Sequence, residues 1–382
     1  MLNLRVDFNY GSNMDPRPGD CKLPQTEKPR MKIRNIAIIA HVDHGKTTLV
    51  DCLLHQSGLF RDNQQVAERA MDSNALERER GITILAKCTS VDWSGTRINI
   101  VDTPGHADFG GEVERILSMV DGVMILVDAS EGPMPQTKFV LTKALSLNLN
   151  PIVIINKVDR SDQRTDQVHD EIFDLFVALN ANEKQLDFPT LFASAKNGWA
   201  TADLNTTSED MAALFDLIIK HVPPPNVNPG GGFSLLVTTL ETDPYLGRVL
   251  TGRIQSGEVR QNMSIKALNR DSVKIETSRI TKLLQFRGLE RLPVEEAYAG
   301  DIVAIAGFQN ATVSDTLCDN SITKALKALP IDPPTLAMTF SINDSPLAGT
   351  EGSKVTSREI WNRLEREAEG NVALIVSRTE DC

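Results

Sequence analysis

The sequence predicts a multi-domain chain: a doubly wound α/β phosphate-loop domain, then an antiparallel β-barrel, then a partial α+β unit of ferredoxin-like type. Three observations carry that prediction. An apolar run, Asn35–Ala40, feeds a polar loop that closes on Gly45-Lys46-Thr47 before a helical pattern begins. Buried-strand runs then alternate with helical patterns, and the runs end in polar residues. From Phe233 onward the pattern changes to short alternating runs separated by Gly-containing turns.

Size and composition bound the rest. The 382 residues allow two or three domains, and 41% hydrophobic with 24% charged residues is an ordinary globular balance. No apolar run approaches the ~20 residues of a membrane helix, so no membrane association is expected. A net charge of −11 argues against a general nucleic-acid coat but leaves room for a local basic face. The five cysteines (Cys21, Cys52, Cys88, Cys318, Cys382) are widely spaced without a C-x-x-C pair, which suits a reducing cytoplasm and offers no metal site. Residues 1–30 lack hydrophobic periodicity and a signal-peptide core. They read as a disordered leader, with Met31 the expected natural start.

Residues 31–228 read as the nucleotide domain. The strand–loop–helix at 35–50 places backbone N–H groups and a helix N-terminus around an anion; Lys46 reaches its terminal phosphates and the Thr47 hydroxyl ligates Mg²⁺. Ala40 stands where the usual pattern has its first glycine, so the loop alone also suits a plain strand–helix turn. Residues 56–80 form a long polar stretch ending in Arg80-Gly-Ile-Thr83. Thr83 there could close over Mg²⁺ and the γ-phosphate, though alone it reads as an ordinary strand residue. Two strands around Ser94-Gly95 form a hairpin, and the second ends in Asp102-Thr-Pro-Gly-His106. Asp102 can hold Mg²⁺ through water and the Gly105 N–H can bond the γ-phosphate; the alternative is a simple turn.

Further on, the strand Val123–Val127, a helix over 136–147 and the strand Pro151–Ile155 lead to Asn156-Lys-Val-Asp159. The Asp159 carboxylate can accept two hydrogen bonds from guanine N1–H and its exocyclic amine, a pair adenine does not offer. Mispairing of that kind rejects the wrong base by factors of roughly 10⁴ or more. Asn156 would brace the loop and bond the base, and the Lys157 stem would cover its face. The strand beginning at Leu191 ends in Ser194-Ala195-Lys196, whose backbone N–H groups can meet the guanine oxygen. Five elements in this order, at strand C-termini, read as a GTPase converting GTP to GDP and phosphate.

These stretches resemble the translational GTPases. Ala40-His-Val-Asp-His-Gly-Lys-Thr47, Arg80-Gly-Ile-Thr83 and Asp102-Thr-Pro-Gly-His106 are similar to those of elongation factors Tu and G. Within that group, Asp72–Arg80, Ser194–Ala200, Asn343–Gly352 and Val355–Ile360 resemble the BipA/TypA family. The resemblance implies that His106 orients the attacking water, and that Val42 and Ile82 gate it; by themselves both read as core residues. Asp43 matches an acid that helps hold a monovalent cation, against a turn-forming aspartate. Asp43, His44 and Thr48 fall in the matched phosphate-binding segment, with no chemical role assigned to His44. Also implied are a ribosome partner, meaning ribosomal RNA and proteins, a cytoplasmic monomer, and a role in ribosome assembly or translation under stress or cold. The alternatives are a LepA-like or elongation-factor-G-like factor, and a binding module that switches on GTP without hydrolysing it.

The downstream reading is of 229–328 as a translation-factor-like barrel, with strands at 233–240, 248–255, 264–268, 278–286 and 301–306. Lys266, Arg270, Lys274, Arg279, Lys282, Arg287 and Arg291 suit a basic face or simple solvation. Residues 329–382 read as strand 336–342, helix 357–369 and strand 371–377, half of a ferredoxin-like unit. Against the family pattern, which continues further, a truncated chain is expected.

Overall fold

The computed structural model describes residues 31–58, 86–104, 110–206, 208–288, 290–328, 336–343, 345–346, 350, 356–370 and 374–378. The first domain is built on β1 (Lys32–Ala40), which pairs in parallel with β3 (Thr96–Asp102) on one side and β4 (Gly122–Asp128) on the other. Parallel strands β5 (Asn150–Asn156) and β6 (Thr190–Ser194) extend the sheet beyond β4. Antiparallel strands β2 (Lys87–Trp93) and β7 (Trp199–Thr201) close its edges, giving the order β2-β3-β1-β4-β5-β6-β7. The β2–β3 hairpin turns through Ser94 (φ 45°) and Gly95 (φ 73°), the left-handed pair whose twist matches the flanking strands.

Alternation along the central strands explains why their sequences are apolar throughout. Ala37, Ile39, Val123, Ile125, Val153 and Ile155 enter one core, and Ile36, Ile38, Met124, Leu126, Ile152 and Ile154 enter the other. The second core is closed by α1 (Lys46–Gln56), which follows β1. The first is closed by α2 (Gly110–Leu117), α3 (Pro135–Ser146) and α4 (Thr165–Ala178). The short α5 (Glu183–Leu186) carries a capping box between Asn182 and Gln185, and α6 (Ala212–His221) joins α1 on its face through Leu214, Phe215 and Ile218. The expected doubly wound α/β domain is therefore present. No helix among the described residues is long and apolar enough to cross a membrane.

The second domain is antiparallel. It comprises β8 (Ser234–Asp243), β9 (Gly247–Ser256), β10 (Glu258–Arg260), β11 (Ser264–Leu268), β12 (Lys274–Arg279) and β13 (Lys282–Arg287). β14 (Glu290–Pro293), β15 (Glu296–Tyr298), β16 (Ile302–Ala306) and β17 (Thr316–Cys318) complete it. One sheet runs β12-β11-β17-β8-β9-β16-β13-β14, and β10 pairs with β15. Leu235, Leu250, Ile265, Leu283, Ile305 and Leu317 meet in a single core, so the sheet is rolled about it.

Two expectations are corrected here. The single strand expected over 278–286 is the end of β12, a corner, and β13. At the corner Ile280 is buried and donates to Met263 O while Thr281 donates to Ala306 O, so each bonds a different neighbour and the chain turns. The strands expected at 336–342 and 371–377 are not formed by residues 336–343 and 374–378, which join no ladder among the described residues. Leu336, Met338, Phe340 and Ile342 are 52–79% exposed, and alternation without a paired neighbour does not make a strand. Between them α7 (Ser357–Gly370) forms as expected, one residue after a cap in which Thr356 and Glu359 exchange hydrogen bonds.

The core beneath α2 and α3 continues into Val249, Leu284, Phe286, Ile302 and Ala304 of the rolled sheet. Beside this apolar seam, Asn99 Nδ2 donates to Asn35 Oδ1 (2.7 Å), and Asn35 Nδ2 donates to Asp121 Oδ2 (3.0 Å) and Gly300 O (3.2 Å). Arg253 on β9 completes the network with a 2.8 Å ion pair to Asp121. The hydroxyls of Thr89 and Ser90 on β2 donate to Gly288 O and Phe286 O, and Gly288 N–H returns a bond to Ser90 O.

Candidate functional site

The C-terminal ends of β1, β3, β4, β5 and β6 lie along one edge of the sheet, in a register that pairs Ile38 with Asp102, Asp128 with Asn156, and Asn156 with Ala193. Polar residues that would be costly in mid-sheet are thereby gathered where loops leave the core. From β1 the chain passes through half-buried Val42 and exposed Asp43 (φ 63°) to Gly45, which caps α1 at φ 94°. A Cβ on Gly45 would lie 2.5 Å from Asn156 Nδ2, so this position requires glycine both for its backbone angle and for space. Lys46 then opens α1, followed by half-buried Thr47 and exposed Thr48.

The Lys46 ammonium is 2.8 Å from Asp102 Oδ1 and donates to Thr103 O at 2.5 Å, with side chains only 10% and 2% exposed for the ion pair. Thr103 is itself anchored by its hydroxyl to Ile38 O (2.6 Å). A lysine that opens a helix, its ammonium beside a strand-end carboxylate, followed in sequence by a threonine, fits a phosphate group with a small hard cation held through oxygen. Thr47 and Asp102 are the described residues that would hold Mg²⁺. Thr83, Ile82, Gly105 and His106 lie outside the described residues.

Asn156 is the joint between the β1–α1 loop and the loops that follow β5 and β6. Its Nδ2 donates to His44 O (2.9 Å) and its Oδ1 accepts from Ala195 N–H (3.0 Å). Its carbonyl accepts from Ala129 N–H, and Val158 N–H bonds Ala193 O, so the Asn156–Asp159 turn is tied to β4 and β6 together. Asp159 and Lys196 are exposed, Ser194 is buried, and Lys157 sits in the left-handed region at φ 64°. Gln56 at the end of α1 donates to Gly198 O (2.7 Å) and accepts from Met211 N–H (2.7 Å), fixing the loop after β6 from below.

Two more side chains complete the arrangement: Asp128, which no motif singled out, and His44, which lies in the matched segment without an assigned role. Asp128, fully buried at the end of β4, lies 2.7 Å from Lys157 Nζ and accepts from the Ser130 N–H and hydroxyl, each at 2.7 Å. Burial opposes its ionisation, but the Lys157 ammonium and the Ser130 donors outweigh that and hold the carboxyl well below its usual range. His44 is fully buried, its Nδ1 3.4 Å from Asp128 N and from Leu126 O, its Nε2 3.3 Å from Glu131. Burial lowers its pKa, with His41 adding to the effect and Glu131 and the Leu126 carbonyl opposing it. The one signal for Asp128 in the sequence is a carboxylate ending an otherwise apolar strand.

Of the basic residues on the second domain, Arg287 pairs with Asp92 (3.0 Å), Arg291 with Glu241 (2.6 Å), and Lys266 donates to Asn320 O (3.0 Å). Those three contacts serve packing and the seam.

Comparison with known proteins accounts for both domains. Residues 31–224 match the elongation factor Tu GTP binding domain, and residues 247–318 match elongation factor Tu domain 2. A curated protein of Buchnera aphidicola named large ribosomal subunit assembly factor BipA is 54% identical over 355 residues, 93% of this chain and 58% of that protein. Proteins of the same name from Bacillus subtilis and Synechocystis are 54% and 56% identical over 352 residues each, 92% of this chain and 57% and 59% of theirs. The chain thus spans less than three fifths of the length of these relatives. A crystal structure of a Thermus thermophilus protein superposes with a TM-score of 0.67 at 18% identity, covering 92% of this chain and 63% of that one, a likeness of fold.

Proposed function

The chain belongs to the family of the elongation factor Tu GTP binding domain, and from that premise we propose that it hydrolyses GTP to GDP and phosphate in support of large ribosomal subunit assembly. The observation that carries the reading is the Asn156 side chain, which bonds the phosphate loop at His44 O and the base loop at Ala195 N–H. A single amide so placed sets the distance between phosphate-binding and base-reading elements before a nucleotide arrives. Lys46 exchanges its contacts with Asp102 and Thr103 for the terminal phosphates, the backbone of residues 43–48 cradles them, and Asp159 reads guanine while the Lys157 stem covers its face. Thr47, Thr83 and Asp102 would hold Mg²⁺, which when bound would supply charge neutralisation for the phosphoryl group. The Gly105 N–H bonds the γ-phosphate, and His106 orients the water once the Val42–Ile82 gate opens. Ser194, Ala195 and Lys196 border the base, and Asp43 serves the loop either as a turn former or toward a monovalent cation.

The partner is the ribosome, by analogy with what the relatives' name says they assemble; their identity of more than half supports a BipA-type role over a LepA-like or elongation-factor-G-like one. The remaining assignments are a cytoplasmic monomer with domains at 31–228 and 229–328, and 329–382 as part of a ferredoxin-like domain. The test is GTP turnover with and without ribosomes, beside His106→Ala. The expected result is slow intrinsic turnover, stimulation by ribosomes, and loss of that stimulation in the variant with GTP binding intact. Equal stimulation of both proteins would remove His106 from the mechanism; GTP bound but never hydrolysed would favour the binding module.

A further inference from the structure

We infer that Asp128 is a positioning and base-specificity residue of the nucleotide site, acting through Lys157. The inference rests on the guanine-nucleotide reading above and adds to it a residue outside the five motif elements. Asp128 is the direct parallel neighbour of Asn156, so its side chain leaves β4 where the base-reading turn leaves β5. One carboxylate oxygen takes the Lys157 ammonium at 2.7 Å, with the Arg160 guanidinium 3.7 Å away. The other is held from below by Ser130 N–H, Ser130 Oγ and Glu131 N–H. The carboxylate is therefore fixed by Ser130 and the Glu131 backbone on one side and offers its charge on the other to Lys157 first and, at longer range, to Arg160.

Lys157 needs that help. It occupies the left-handed region, which a side chain with a Cβ rarely adopts without local support. It lies between Asn156, which must face the phosphate loop, and Asp159, which must face the base. A lysine ammonium is a mobile point charge on a four-carbon stem, and tethering its head confines the stem to one path over the site. The backbone N–H of Asp128 also lies 3.4 Å from the imidazole of His44, whose own carbonyl receives Asn156. Asp128 thus touches both halves of the site, and loss of its charge would loosen the turn on which Asp159 stands.

The experiment is a double-mutant cycle read by titration with the N-methylanthraniloyl derivatives of GDP and IDP, with melting temperatures measured alongside. Inosine lacks the exocyclic amine, so the GDP-to-IDP affinity ratio reports how well Asp159 is aimed, and loss of stability alone does not move it. Asp128→Asn is expected to weaken GDP binding about tenfold and to narrow the GDP-to-IDP ratio several-fold, while adding less than about twofold in a Lys157→Met background. An unchanged ratio in Asp128→Asn, or equal losses in both backgrounds, overturns the inference. If Asp128→Asn alone does not fold, the double variant, which buries no unpaired ammonium, decides: binding equal to Lys157→Met supports the inference and binding about tenfold weaker rejects it. Failure of the wild-type chain to bind GDP would instead reject the guanine-nucleotide reading, and this inference with it.

Discussion

His44 illustrates what one buried residue does to the whole stability curve. Its imidazole has no exposed surface, and burial holds its pKa below the usual 6.5. An unfolded chain takes up a proton at that histidine as pH falls through 6.5, while the folded chain resists until a lower pH. The contribution is complete above the unfolded value and is lost progressively as pH falls toward the depressed folded value. The melting-temperature advantage of wild type over His44→Gln should therefore shrink between about pH 7.5 and about pH 5.5. A gap that stays constant across that window would mean that His44 does not titrate with folding. Its neighbour Asp128 behaves oppositely in cause, since there the partners outweigh burial and the carboxylate stays charged.

At the scale of elements, the junction of β1 and α1 determines whether the edge of the sheet becomes a site. Gly45 turns the chain into α1 at φ 94°, and its missing Cβ leaves room for Asn156 Nδ2, which would lie 2.5 Å from a Cβ placed there. Gly45→Ala should lower stability by roughly 1–3 kcal/mol through backbone strain and displacement of Asn156. It should also weaken GDP binding on the order of a hundredfold, because the phosphate loop and base loop lose their common anchor. Thermal melting and nucleotide titration read the two effects separately; a variant with wild-type affinity would show that Asn156 can retreat without consequence. The β2–β3 hairpin and the corner between β12 and β13 make a contrasting pair. The first is written locally in Ser94-Gly95, while the second depends on Met263 and Ala306 offering carbonyls from elsewhere in the chain.

For the molecule as a whole, the seam between the α/β domain and the rolled sheet decides whether the two move together. Its apolar part is an extension of one domain's core, and its polar part is the chain Asn99–Asn35–Asp121–Arg253. Burial pushes the Asp121 carboxyl upward, and the Arg253 guanidinium and the Asn35 amide counter it. Asp121→Ala would leave the Arg253 charge buried without its counter-ion and should cost about 3–5 kcal/mol in urea denaturation. Adding Arg253→Met should recover a large part of that loss, because an apolar pair leaves no unpaired charge. If the double variant is no more stable than the single one, the pair does not couple the domains. Such a seam would carry rearrangements of the nucleotide domain to the second domain as a rigid-body shift, which is the mode packed interfaces favour.

Much of the α/β domain was legible in the sequence because each segment there carries two messages at once. Ile36–Ala40 and Val123–Val127 are apolar on both faces, as a parallel strand buried on both sides must be, and polar residues at the strand ends mark where the chain leaves the core. Gly45-Lys46 and Asn156–Asp159 were readable because their chemistry is local: a backbone angle, a charge, a turn. What tertiary structure alone decided depends on partners distant in sequence. Asn35 gave no hint of Asp121 and Arg253, nor Asp128 of Lys157, since a buried polar residue is defined by whatever satisfies it. The same reason separates strand pattern from strand at 336–343. Alternating Leu336, Met338, Phe340 and Ile342 supply a face, but hydrogen bonds from a neighbouring strand are what turn a face into a sheet, and those come from outside the segment.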